Sequence, residues 1–184
     1  VLEITLTGRD CGMEERAPMC GVPYHAADTY ISRLIENNYK VAICEQIEDP
    51  ALAKGIVKRE VIKVVTPGTI TSSFMLDDKV NNYLMSVYIS NNFIALSYAD
   101  LSTGEFMATV TEEKNWNAAI DEINRISPSE VLLNIENEKL QDIYKSSAIL
   151  DKRYYDQHEC SQRLKRQFNV EALEGLGVEN EALL

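Results

Sequence analysis

Long apolar runs, histidines, paired cysteines and basic side chains are what this 184-residue sequence has least of. No stretch approaches the about 18 consecutive apolar residues of a membrane-spanning helix, so no span is expected. The opening residues VLEITLTGRDCG lack the basic start and long apolar core of a secretory signal. No initiator Met precedes them, so the sequence is expected to be cut from a longer, cytoplasmic protein. The cysteines, Cys11, Cys20, Cys44 and Cys160, form no CxxC pair, and only His25 and His158 could join them as ligands. That spacing does not make a zinc site, and the reading is free thiols, some of them buried, in a reducing compartment. GxxxxGK[ST] and GxGxxG are both missing, so no nucleotide-triphosphate site is expected in this chain. Without a GxSxG elbow or a recognisable Ser, Cys, His and acid arrangement, nucleophilic catalysis has no visible machinery. Basic side chains number 18 against 29 acidic ones, a formal net charge of −11. Charge alone therefore cannot give a broad grip on DNA or an anionic membrane.

What is present suits a folded protein. An apolar fraction of 45% can bury a core for one ordinary domain or two small ones. Residues 1–66 hold 8 basic and 10 acidic side chains, net −2, and residues 67–184 hold 10 and 19, net −9. The shift falls at Pro67-Gly68, a turn-forming pair, and two units joined over about residues 67–80 are expected.

In residues 1–66, Leu2, Ile4 and Leu6 alternate with polar residues as in a half-buried strand, and GMEERAPMCGVP reads as turns. Tyr30, Ile31, Leu34 and Ile35 have helical spacing up to Asn37-Asn38, and YKVAIC and EVIKVV read as strands. In residues 67–184, YLMSVYI, a turn at Asn91-Asn92, FIALSYAD, a turn at Ser102-Thr103-Gly104 and EFMATV predict a three-strand meander. A helix then carries Trp116, Ala119, Ile120, Ile123 and Ile126 on one face and stops at Ser127-Pro128. EVLLN predicts a buried strand, residues 138–145 a weaker helix, RYY a further strand, and Cys160, Leu164 and Phe168 a last helix. The fold class is α/β: a small α/β unit, then a mixed sheet covered by helices.

That second strand order is the one found in RNase H-like nucleases, which need several carboxylates converging on two metal ions. Asp100 at a strand end, Asp77-Asp78, Asp121 and Glu122 are the candidates, and solvated or turn-forming acids are the competing reading. For anion binding, Tyr24 and His25 lie just before or inside the first turn of a helix, where backbone N–H groups can meet a phosphate. A surface histidine beside a packing tyrosine is the alternative. Arg9, Arg16, Lys54, Lys58 and Arg59 add positive charge there, interrupted by acids.

The strings CGVPYHAADTYISRLIENNYKVAICEQIEDP, REVIKVVTPGT, YADLSTGEF, SPSEVLL and QFNVEALEGLGVEN, in this order, resemble the bacterial MutS family of DNA mismatch-recognition proteins. The resemblance covers nearly the whole chain. It implies that residues 1–66 are part of the N-terminal mismatch-recognition domain and residues 67–184 a connector domain, RNase H-like but without nuclease activity. It also implies a homodimeric parent that clamps mismatched double-stranded DNA, binds ATP and Mg outside this chain, and signals to MutL through the connector. Thr7, Arg9 and the segment from Met19 through Tyr24 to His25 would face the duplex. On this reading the chain itself is no enzyme and holds no cofactor; a metal-dependent nuclease, or a module for protein contacts alone, are the alternatives. The family's Phe-x-Glu mismatch wedge is missing from the chain, whose Phe74, Phe93, Phe106 and Phe168 all fall after residue 66. A first unit without its own beginning is expected to be the looser one, with an unpaired sheet edge open to pairing with a second molecule.

Overall fold

A computed structural model describes residues 1–178 other than 13, 53–54, 73–74, 78 and 112–114; Lys54, Phe74 and Asp78 thus lie outside the described residues. The chain forms two compact units, Val1–Thr66 and Pro67–Leu184.

The first unit holds two separate two-stranded antiparallel sheets and a helix. Strand β1 (Thr7–Arg9) pairs with β2 (Ala17–Met19), and β3 (Val41–Gln46) pairs with β4 (Arg59–Val65). Between them runs α1 (Ala27–Glu36), whose Ile35 is buried. The expected strand over Leu2, Ile4 and Leu6 is not formed: the chain there is irregular, and Glu3 takes a left-handed φ of 54°. Alternation supplies a face, but a strand also needs a partner, and only Thr7–Arg9 finds one. That partner emerges from the stretch read as turns. Its Pro18 is tolerated because a two-stranded ribbon leaves N–H positions facing solvent.

The second unit is built on a five-stranded sheet in the order β7-β6-β5-β8-β9. Strands β5 (Tyr83–Ile89), β6 (Ile94–Asp100) and β7 (Glu105–Thr111) form the antiparallel meander. Strands β8 (Glu130–Leu133) and β9 (Ala148–Ile149) add in parallel on the other side of β5. The β5–β6 connection closes on Asn91-Asn92, with the Ser90 N–H donating to the Phe93 carbonyl at 3.0 Å. This mixed sheet is the one the strand pattern predicts.

Alternation explains the core. Met85, Val87 and Ile89 of β5 and Ile94 and Leu96 of β6 are buried with Val131 and Leu133 of β8. Helix α2 (Trp116–Ile126) adds Ala119, Ile123 and Ile126, and α3 (Glu138–Ile143) adds Leu140. Each fully buried aliphatic side chain is worth about 1.5–3 kcal/mol of transfer free energy. The Asn115 side chain caps α2 by accepting the Ala118 N–H at 3.1 Å, and Ser127 ends it in the left-handed region, with Pro128 next. Helix α4 (Gln157–Phe168) is capped by Asp156, which accepts the Glu159 N–H at 3.0 Å.

Two further expectations are corrected. RYY is not a strand but part of a 3₁₀ turn, Lys152–Tyr155, because the Asp151 carboxylate accepts the Arg153 N–H at 2.9 Å and bends the chain. No cysteine is buried: Cys11, Cys20 and Cys44 are exposed and Cys160 is half-buried, its thiol pushed up in pKa by that burial. Within the stretch read as the joint, Pro67, Gly68 and Ile70 are buried. Among the described residues no helix is long and apolar enough to cross a membrane.

Candidate nucleic-acid interface

The β1–β2 ribbon brings three of the five residues singled out above together. Its register sets Thr7 opposite Met19, Gly8 opposite Pro18 and Arg9 opposite Ala17. Successive side chains of a strand point to opposite faces, so Thr7, Arg9 and Met19 share one face and Gly8 and Pro18 the other. The Thr7 hydroxyl donates to the Met19 carbonyl at 2.7 Å and fixes the pair. All three side chains are exposed, Met19 to 43%.

Arg16 sits on the second face. A Cβ on Gly8 would lie 3.0 Å from Arg16 Cβ and 3.3 Å from Arg16 Cδ, so the missing side chain at Gly8 makes room for the arginine stem. The loop between the strands turns where the Gly12 N–H donates to the Asp10 carboxylate at 2.9 Å, with Gly12 at a φ of +74°.

Tyr24 and His25 stand apart from the ribbon in sequence, on a 3₁₀ turn, Tyr24–Ala26, that leads into α1. Both are exposed, Tyr24 to 91%. The Ala26 N–H is already used by the Pro23 carbonyl at 2.9 Å, and Asp28 occupies the first turn of α1. That carboxylate takes the favourable position at the positive end of the helix dipole, so an anion would have to be met by the Tyr24 and His25 side chains rather than by the helix end.

The other cations divide by their partners. Lys58 is paired with Glu60 at 2.9 Å, and Arg59 donates to the Val57 carbonyl at 3.4 Å. Among the described residues, Arg9 and Arg16 have no carboxylate within ion-pair distance.

Among the described residues the candidate carboxylates are not brought together. Asp100 is 1% exposed and accepts the N–H groups of Asn82, Ser102 and Thr103 and the Ser102 hydroxyl at 2.6–3.3 Å. Burial alone would push its carboxyl up, but these hydrogen bonds outweigh it and hold the group below the ordinary aspartate range. Glu122 is held low by Arg125, which it accepts at 2.7 and 2.8 Å. Asp121 is exposed, and Asp77 closes a turn by accepting the Lys79 N–H at 3.0 Å. Among the described residues, no three His, Cys, Asp or Glu side chains come together as a metal site. Sequence reasoning placed Asp100 at its strand end; its role as a four-bond hub with Asn82 depends on a pairing that only the sheet supplies.

Comparison with known proteins follows the same division of the chain. The model of MutS domain I matches residues 1–73, and that of MutS domain II matches residues 82–184. The DNA mismatch repair protein MutS of Acetivibrio thermocellus is 51% identical over 184 residues, covering 94% of this chain and 21% of that protein. Its namesake from Ruminiclostridium cellulolyticum is 64% identical over 136 residues, 73% of this chain and 16% of that protein. The one from Alkaliphilus metalliredigens is 51% identical over 188 residues, 96% of this chain and 21% of that protein. The chain spans about a fifth of the length of the curated relatives it matches. With both domain models satisfied in order and half of all positions shared with full MutS proteins, this chain belongs to the MutS family and carries its domains I and II.

Proposed function

We propose that this chain serves within a longer MutS protein, its first unit lending a scaffold to mismatched-duplex binding and its second acting as connector. The observation that carries the first half is the shared face of Thr7, Arg9 and Met19, with Arg9 unpaired among the described residues. A guanidinium so presented suits a phosphate, Thr7 can add a hydrogen bond, and Met19 offers an apolar contact to sugar or base edges. Tyr24 and His25, both exposed, are assigned to the duplex by the same reading. Phosphate contacts fix register and carry no sequence information, so mismatch selectivity would come from a wedge that this chain does not contain.

The second unit's charge of −9 suits a protein partner better than a phosphate backbone. Its exposed Phe106 and Phe168, ring centroids 6.0 Å apart, lie beside a cavity of about 200 Å³ lined also by Leu164, Leu173 and Leu176, which supports a contact with MutL. In this reading the parent is a cytoplasmic homodimer that binds ATP and Mg outside this chain, whose sequence lacks the Gly-rich phosphate loop such binding needs. The chain itself transmits and positions rather than catalyses.

The test is fluorescence anisotropy with a labelled G·T-mismatched duplex and its matched twin, using a full-length MutS carrying this sequence and the 184-residue chain beside it. Mismatch-selective binding by the full-length protein, lost from the chain alone, is the expected result. Cleavage of the duplex by the chain on adding Mg²⁺ or Mn²⁺ would overturn the non-catalytic reading.

A further inference from the structure

The β1–β2 ribbon carries a second cation on its other face. Arg16 directly precedes β2, and the register that sets Arg9 opposite Ala17 continues to Asp10 opposite Arg16. Side chains alternate along both strands, so Arg16 falls on the face of Gly8 and Pro18, away from Thr7, Arg9 and Met19.

Gly8 provides the seat. A Cβ there would lie 3.0 Å from Arg16 Cβ, 3.3 Å from Cδ and 3.8 Å from Cγ, so the aliphatic stem runs over the bare backbone of the facing strand. Gly8 has no positive φ, so what glycine supplies at this position is room rather than an unusual conformation. A stem held in this way has less rotational freedom to lose when its head is bound. The residue is exposed, and among the described residues no carboxylate lies within ion-pair distance of it. Asp10, across the ladder, accepts the Gly12 N–H instead. The exposed Asp10, Glu14 and Glu15 gather negative charge at the loop end. A polyanion is therefore repelled from the tip and met along the ribbon, where the two arginines stand on opposite faces.

We propose that the ribbon lies in a groove of the duplex, with Arg9 turned to one phosphate backbone and Arg16 to the other. A two-stranded ribbon is slim enough to enter a duplex groove, and a long side chain on each face then reaches a wall on each side. Guanidinium forks suit phosphate oxygens, and such contacts fix register without reading bases. The assignment rests on the duplex-binding reading proposed above and adds to it a further residue and the second DNA strand.

Fluorescence anisotropy with a full-length MutS carrying this sequence and a labelled G·T-mismatched duplex tests it. Arg16→Ala is expected to weaken binding about tenfold at about 0.1 M salt and to lower the slope of log affinity against log salt by about one. Arg16→Lys keeps the charge and should keep the slope. Arg9→Ala and Arg16→Ala together should lower the slope by about two. Gly8→Ala should displace the stem and weaken binding, with no further loss once Arg16→Ala is in place. Uncharged methylphosphonate linkages beside the mismatch, in one strand or the other, separate the two walls. Arg16→Ala should blunt the loss they cause in one strand only, and Arg9→Ala the loss in the other. Unchanged binding by Arg16→Ala beside weakened binding by Arg9→Ala would overturn the assignment and leave the duplex reading standing. Unchanged binding by both would overturn the two together. Blunting in the same strand by both variants would overturn the placement between two walls.

Discussion

Asp100 accepts the backbone N–H of Asn82 at 2.9 Å, and this bond ties the residue after which β6 turns to the residue before β5 begins. The same carboxylate accepts two more backbone N–H groups and the Ser102 hydroxyl. Asp100→Ala would leave those donors without a partner in a buried place, at a cost of about 1–3 kcal/mol. Urea denaturation followed by the fluorescence of Trp116, the sole tryptophan, measures that loss. A change indistinguishable from zero would mean water replaces the carboxylate.

The same residue sets an acid limit. Its folded pKa lies below the ordinary value, so its contribution is complete above the unfolded pKa of about 3.9 and disappears as pH falls through the lower folded value. Asp100→Asn is expected to lower stability at neutral pH and to flatten the decline below about pH 4. An unchanged acid slope in this variant would assign the acid sensitivity to other carboxylates.

Arg9→Ala, in a full-length MutS carrying this sequence, is expected to weaken matched and mismatched duplexes by the same factor. The slope of log affinity against log salt should fall by about one, the signature of one lost phosphate contact. Selective loss for one mismatch would instead make Arg9 a base-reading residue.

Asn134 continues the β5–β8 ladder with its side chain, donating to the Ile89 carbonyl at 3.0 Å and accepting the Ile89 N–H at 2.9 Å. Asn134→Ala should destabilise the second unit by about 1–2 kcal/mol, read from the denaturation midpoint. A loss under about 0.5 kcal/mol would show that solvent satisfies the strand end equally well.

The two units should differ in protection. Val61, Ile62 and Val64 of β4 are each more than half exposed, and the β3–β4 pair is a lone two-stranded ribbon, a form that is marginal in water. Its amides should exchange well before those of β5 and β6. Equal protection in a monomeric sample would contradict this.

Much of the second unit was legible because its signals are local and agree with one another. Met85, Val87 and Ile89 alternate, Asn91-Asn92 can only turn, and Ala119, Ile123 and Ile126 fall on one helical stripe. The misses share a cause. Leu2, Ile4 and Leu6 alternate as well as any strand, yet pairing is decided by a distant partner, and Ala17–Met19 reaches only Thr7–Arg9. RYY has strand propensity, but the preceding Asp151 diverts it. For the candidate site, sequence and family resemblance could name Thr7, Arg9 and Met19. That they share a face is a fact of register between two short strands, invisible in either strand alone.

The position of β5 also governs the order of assembly. Its pairing with β6 closes through a two-residue turn, whereas its pairing with β8 must wait for a return of the chain through α2. Loop closure of that length is slow beside hairpin formation, so the meander should gather first and β8 arrive late. Glu130 is the first residue of β8. In a newly made chain the Gly68 N–H therefore has no Glu130 carboxylate to meet until the last central strand is in place, and the Pro67–Thr69 turn settles only when folding is nearly complete.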